Sequence, residues 1–456
     1  MTHLAQSGSV VLVSCYELGH APHSLAIAAG FLRDAGFDAD IVDLQIEPLS
    51  VDRLASARLV AISVPMHTAL RLGTRVVERV AATHPSCHIC VFGLYAPLNA
   101  DLLTAVGAHT ILGAECEPEL VQLARRIDRD GSAPPRRAAP LSRLTFPPPR
   151  RDRLRGADHY ARFIAADGRE KLAGYTEASR GCLDTCRHCP VPAVYGGRFF
   201  VVGKDVVLAD IASQVASGVQ HITFGDPDFF NGPGHTMAIV RELSRTHPEI
   251  TFDITTQVSH LLAHRDAVAE LPELGCAFVV SAAESLSDHV LERLGKRHRR
   301  ADFLRALELC DSVGLPMRPT FVTFTPWTTL ADLRELVDFI AEHDLIEHVA
   351  PVQLAVRLLV PSGSLLLRRP ELAAAFGELD RRALTHSWRH PDPAMDELAA
   401  AIARCVEAAT ETDQAPAETF DAILGLVYRA ASSPPPQAVA PRARRKIPRL
   451  SEPWFC

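Results

Sequence analysis

The chain has 456 residues, 47% of them hydrophobic and 22% charged, which suits a globular protein of two or three domains. A net charge of −7 argues against a dedicated nucleic-acid binder, and the lack of an apolar run of about 18 residues argues against a membrane span. Eleven cysteines and no signal-peptide pattern in Met1–Val10 point to a reducing cytoplasm, where metal and redox roles outrank disulfides.

Residues 8–128 alternate β-like and helical runs. Strands are expected at Val10–Ser14, Ala39–Leu44, Leu59–Val64, His88–Phe92 and Thr110–Gly113, with helices such as Leu25–Ala35 and Gly73–Thr83 between them. This alternation implies a parallel sheet with crossover helices, and five strands fit a flavodoxin-like doubly wound domain over residues 1–130. Cys87-His88-Ile89-Cys90 opens a strand rather than a helix and reads as structural. His20, His23, His67 and His88 are scattered over several strand ends and read as hydrogen-bonded or solvated side chains.

The composition then shifts. Residues 131–170 open with prolines and arginines and are expected to form an extended linker. Residues 171–370 form a second α/β block, with strands expected at Tyr175–Ser179, His221–Gly225, Thr251–Thr256, Ala277–Ala282, Met317–Phe324 and Val349–Leu359. Helical periodicity covers Phe303–Val313 and Leu330–His343, and returns over Pro370–Thr412 and Thr419–Ala431 in a helical C-terminal region, residues 371–432. Residues 433–456 are a Pro/Arg-rich tail expected to be mobile until its final few residues. Cys276, Cys310 and Cys405 sit in apolar patterns and read as buried small hydrophobes.

Chemistry concentrates in Gly181-Cys182-Leu183-Asp184-Thr185-Cys186-Arg187-His188-Cys189. Three thiols from one loop can hold a [4Fe–4S] cluster while leaving one iron open, because such a cluster normally takes four cysteines. Arg180 and Arg187 are expected to lower the thiol pKa values and offset cluster charge. A zinc site in a binding module is the competing reading, with His188 as its fourth ligand.

The C-x3-C-x2-C spacing resembles that of the radical S-adenosylmethionine (radical SAM) enzymes, and the likeness runs from about residue 170 to 370. It implies a partial (β/α)6 barrel, a [4Fe–4S] cluster on Cys182, Cys186 and Cys189, and S-adenosylmethionine bound to the open iron and cleaved reductively to a 5′-deoxyadenosyl radical. In that family the residue before the final cysteine lies near the adenine, the place of His188 here. Gly225-Asp226-Pro227, at the end of the second barrel strand, stands where the family has a Gly-Gly-Glu-like motif for the methionine amino group; its spelling departs from that motif, and a plain turn is the alternative. Glu284-Ser285 looks like the family's Glu-Ser motif for the ribose hydroxyls and methionine carboxylate, with a helix N-cap at Ser285 as the rival. Asp253, Thr255 and Gln257 on the third strand, and Gln353 and Arg357 on the sixth, alternate with strand period, so some of them face the barrel interior.

The N-terminal domain resembles the cobalamin-binding domains that precede many such barrels, although the Asp-x-His-x-x-Gly motif for a lower ligand is absent from Tyr16-Glu17-Leu18-Gly19-His20-Ala21. Cobalamin-dependent methyl transfer is the alternative this likeness raises. Cys15, Cys90 and Cys116 raise another, a methylthiotransferase with a second cluster acting on RNA. The substrate class implied is a small molecule or a peptide, with flavodoxin or ferredoxin as electron donor. The ending at Trp454-Phe455-Cys456, with Phe92–Ala96, Gly225–Phe230 and Leu358–Ser364, resembles a subgroup with Cys-Sec-Ala-Glu-Pro or Cys-Cys-Ala-Glu-Pro tails. That likeness raises the reading that Cys456 precedes a missed selenocysteine, against a true C-terminal thiol.

Overall fold

The structure is a computed structural model describing residues 4, 6, 8–434 and 446–452. Cys456 and the question of a following selenocysteine lie outside the described residues.

The first sheet holds β1 (Val10–Ser14), β2 (Ala39–Asp43), β3 (Leu59–Ser63), β4 (His88–Phe92), β5 (Thr110–Leu112) and β6 (Arg136–Ala138), all parallel, in the order β2-β1-β3-β4-β5-β6. This is the doubly wound order, whose ligand crevice lies beyond the ends of β1 and β3. Helices His23–Asp34 and Glu117–Asp130 cover one face and His67–Thr83 the other, so Val10–Val13 is buried on both sides.

The expected linker is not free. It supplies β6 and buries Phe146, and the guanidinium of Arg151 donates to both oxygens of Asp210 at 2.8 Å and to the Tyr175 carbonyl at 2.6 Å. Prolines prevent a helix here, but Arg151 finds a buried acceptor that fixes the path.

The second sheet runs β14-β13-β12-β11-β8-β7-β17. Its parallel strands are β8 (Glu170–Thr176), β11 (His221–Phe224), β12 (Thr251–Thr256), β13 (Cys276–Glu284) and β14 (Met317–Phe321). β7 (Arg162–Ile164) and β17 (Arg449–Leu450) extend it antiparallel. The sheet curls into a half-barrel, so Leu450 and Phe163 from one edge pack on Phe278 and Val280 of β13. β9 (Ser179–Gly181) and β10 (Phe199–Val201) form an antiparallel pair that frames the cysteine loop.

The sixth strand expected at Val349–Leu359 is instead a 3-10 turn, Pro351–Ala355, followed by a single parallel bridge between Phe324 and Arg357. The Gln353 side chain explains it: Oε1 accepts the Phe321 N–H at 3.0 Å, doing at the edge of β14 what a strand backbone would do. Residues expected to be helical from 370 to 412 include a short hairpin, β15 (Leu379–Asp380) with β16 (Thr385–His386), before the helix Pro393–Glu411.

The two modules interlock. The loop after β1 enters the half-barrel, where the rings of His20 and His23 lie 4.9 and 5.6 Å from Tyr175 of β8, and the Gly19 carbonyl accepts the Ala161 N–H at 2.9 Å. The C-terminal segment, expected to be mobile until its final few residues, docks through β17, and Tyr16 donates its hydroxyl to Glu452 at 2.6 Å.

Candidate functional site

Five successive strands show where the barrel opens. Tyr175, Gly225, Thr255, Ala282 and Thr320 keep part of their surface, whereas Thr176, Phe224, Ile254, Ala283 and Phe321 beside them are buried. The first set faces a chamber at the C-terminal strand ends, the end that carries chemistry in parallel barrels. Of the sequence candidates Thr255 is found there, and Gln257 donates its side-chain N–H to Cys186 Sγ at 3.6 Å. Asp253, two residues before Thr255, is closed off beneath it, accepting from His221 Nε2 at 2.8 Å and from the Thr223 hydroxyl at 2.7 Å. Arg357 faces outward instead, paired with Asp396 at 2.8 Å and lying 4.0 Å over the Trp388 ring. Gln353 is spent on the backbone of β14.

The cysteine loop leaves β9 directly into this mouth. Cys182 and Cys186 are buried and Cys189 half-buried. Burial pushes the Cys182 thiol up to about 12, with the Asp228 charge adding to the effect. Burial also raises Cys186, opposed by the positive charge of Lys296. Metal binding displaces protons from such thiols. Among the described residues, the one set of three or more ligand atoms within 4.8 Å of one another is Asp184, Asp228 and His260, not the three cysteines. Tetrahedral zinc with Zn–S near 2.3 Å needs sulfurs about 3.8 Å apart, whereas a cubane takes each thiolate on a different iron and spaces them more widely. The three thiols are therefore not gathered as closely as a single zinc ion requires. Asp228 in the carboxylate set is already filled: Oδ1 accepts from Phe230 N–H and the Thr256 hydroxyl, and Oδ2 accepts from Gln257 N–H and is ion-paired with His260 at 2.7 Å. With Asp184 ion-paired to Arg297 at 3.0 Å, these groups anchor the loop.

Glu284 closes β13 in a left-handed conformation (φ 63°) at a register shift against β14. Such a conformation in a non-glycine residue persists where the surroundings over-determine it. Its Oε1 accepts from His188 Nε2 at 3.2 Å and pairs with Lys296 Nζ at 3.4 Å. Burial alone would raise this carboxyl, but Lys296 and His188 bring it down to about 2. With Nε2 committed to Glu284, the buried Nδ1 of His188 has no hydrogen-bond partner. Lys296, which follows the Gly295 helix cap in Leu294-Gly295-Lys296, was given no role by the motif reading.

Other expectations change. Arg180 does not face the thiols: three carboxylates hold it, Glu117 at 2.6 Å, Glu177 at 3.4 Å and Glu115 at 3.9 Å. Arg187 donates to the carbonyls of Glu292 and Arg293. Asp226 turns from the chamber to accept the Ala178 N–H at 2.9 Å and the Ser179 hydroxyl at 2.6 Å, and burial raises its carboxyl to about 7. It ties the end of β8 to β9. Pro227 is exposed, and Ser285 accepts the Ser287 N–H in a turn before helix Asp288–Leu294, whose N-cap is Ser287 rather than Ser285. In the first domain, Cys15 packs on one face of the sheet and Cys90 with Cys116 on the other, so the sheet separates them. Ser24 Oγ and Ser63 Oγ are 2.8 Å apart across the β1/β3 crevice.

Residues 176–340 match the Radical SAM superfamily. Over 180 residues the chain is 27% identical to a tRNA-2-methylthio-N(6)-dimethylallyladenosine synthase of Desulfosudis oleivorans, covering 37% of this chain and 38% of that one. It is 24% identical over 326 residues to a hopanoid C-3 methylase of Methylococcus capsulatus, covering 67% and 61% of the two chains. Against the synthase the chain thus spans about two fifths of its relative's length. In fold it is similar to the cobalamin-dependent S-adenosylmethionine radical enzyme OxsB with aqua-cobalamin bound (TM-score 0.66, 14% identity, 92% of this chain and 72% of that one). It is also similar to the radical S-adenosylmethionine methyltransferase TsrM from Kitasatospora setae (TM-score 0.54, 18% identity, 74% and 71%). The cysteine loop at the half-barrel mouth thus lies within a radical SAM domain, residues 176–340, with a flavodoxin-like domain in front of it.

Proposed function

We propose that Cys182, Cys186 and Cys189 hold a [4Fe–4S] cluster, and that S-adenosylmethionine lies between Gly225 and Glu284 in the chamber, where its cleavage starts a reaction on an organic substrate. The observation that carries this reading is the junction of His188, Lys296 and Glu284 beside the cysteine loop. When bound, the cluster supplies one electron to the sulfonium, which releases methionine and a 5′-deoxyadenosyl radical able to take a hydrogen atom.

The chain's own residues do the rest. Gly225 offers its carbonyl to an ammonium, and its lack of a side chain keeps room beside Tyr175. Glu284 stays ionised through the neutral range and presents Oε2 to vicinal hydroxyls, while Oε1 fixes its orientation. His188, whose buried Nδ1 has no partner, is the side chain placed to meet the adenine. A small molecule or peptide is the expected substrate, and a flavodoxin or ferredoxin the expected reductant.

The β1/β3 crevice is partly occupied by the chain's own side chains. Ser24 and Ser63 bridge it, the His20 and His23 rings fill the space toward Tyr175, and Glu452 packs within 3.0 Å of where a Gly19 side chain would start. No step is assigned to cobalamin. The separation of Cys15 from Cys90 and Cys116 likewise gives no three-thiol site for a second cluster.

The test is anaerobic reconstitution followed by iron and sulfide analysis and an assay for 5′-deoxyadenosine after reduction. Cluster loading with 5′-deoxyadenosine formed supports the reading. Zinc retained without iron, or iron with no S-adenosylmethionine cleavage, sinks it.

A further inference from the structure

Lys296 is carried to the cysteine loop by specific backbone geometry. Helix Asp288–Leu294 ends at Gly295, whose φ of 72° reverses the chain without a side-chain penalty. The Leu294 carbonyl accepts the Arg187 N–H at 2.7 Å, and a Cβ on Gly295 would stand 3.1 Å from Arg187 Cγ. The turn is thus fastened to the loop between Cys186 and Cys189. Lys296 follows with its side chain 1% exposed, paired to Glu284 at 3.4 Å, and its charge reaches Cys186 and Cys189.

Enclosing an ammonium costs several kcal/mol of hydration even when it is paired. Folding alone would be served as well by an apolar side chain opposite a neutral one. A buried positive charge does something an apolar residue cannot, because in a low-dielectric site it stabilises any neighbour that gains negative charge. Net charge and burial are the levers by which a protein sets an iron–sulfur potential.

We propose that Lys296 and Glu284 are a pair of opposed charges that sets the reduction potential of the cluster on Cys182, Cys186 and Cys189. This rests on the cluster reading above. One electron arrives from an external one-electron donor, the cluster gains one negative charge, and no bond or proton changes place in the step. The ammonium of Lys296 favours the reduced form. The carboxylate of Glu284 opposes it and at the same time keeps the ammonium in position.

The experiment is potentiometric titration of reconstituted full-length protein without S-adenosylmethionine, read by the electron paramagnetic resonance of the reduced cluster. Lys296→Met should move the midpoint to more negative potential and Glu284→Gln to more positive potential, while Lys296→Arg stays near the parent value. Iron and sulfide are measured first. Wild-type protein that takes up no iron overturns the cluster reading itself. Loaded variants whose midpoints do not move, or move in the same direction, overturn the charge pair alone. If Lys296→Met fails to load, Glu284→Gln and Lys296→Arg still decide: Glu284→Gln must rise and Lys296→Arg must hold.

Discussion

His188 and Lys296 meet at a single oxygen of Glu284, Nε2 at 3.2 Å and Nζ at 3.4 Å from Oε1. His188 comes from the cysteine loop and Lys296 from the turn fastened to it, so one carboxylate joins the fourth parallel strand to the loop. Replacing Glu284 by Gln should leave the thiols able to load iron. It should weaken S-adenosylmethionine binding about 10- to 100-fold, the loss of one or two hydrogen bonds to a charged acceptor. Equilibrium dialysis on the reconstituted variant measures it, and unchanged affinity would remove Glu284 from the binding role.

Gly225 has no room for a side chain. A Cβ there would lie 1.8 Å from the Tyr175 hydroxyl. Gly225→Ala should therefore push the tyrosine out of place and cost roughly 1–3 kcal/mol. Adding Tyr175→Ala should return part of that loss. Thermal unfolding of the single and double variants reads both effects.

How much of this was legible in the sequence follows from range. Strands with alternating or wholly apolar runs were plain: His88–Phe92 and Thr251–Thr256 match their expected bounds. The cysteine loop and Glu284 were also readable, since short spacings carry them. What escaped was set by partners distant in the chain. Asp226 carries a suitable charge for an ammonium, yet Ala178 and Ser179 consume it. Gln353 shows a strand's periodicity, but its amide replaces the strand. Arg180 sits two residues from Cys182, and carboxylates from the other domain draw it away.

The expected linker is held by one buried ion pair. Arg151 and Asp210 are 12% and 2% exposed at their side chains. Removing one partner strands a charge, so Asp210→Ala should cost about 3–5 kcal/mol. Changing both to Met and Leu should cost much less. Chemical denaturation of the three forms is the measurement, and equal losses in the single and double variants would contradict the pairing.

Glu17 predicts a pH effect of definite sign. Burial raises its carboxyl to about 8, only partly offset by hydrogen bonds from Ser24. The folded state therefore keeps a proton that the unfolded chain, with a carboxyl near 4.3, gives up. Stability should fall as pH rises from about 4.3 toward 8. Glu17→Gln should flatten that slope in unfolding midpoints recorded between pH 5 and 8; a variant with the parent slope would assign the effect elsewhere.

The contact between Tyr16 and Glu452 spans 436 positions of chain. Strand pairs such as β1 with β2 can zip from nearby residues, whereas β17 finds β7 only after a very long segment has been brought round. Until that strand arrives, the side of the half-barrel that Leu450 covers stays unsealed.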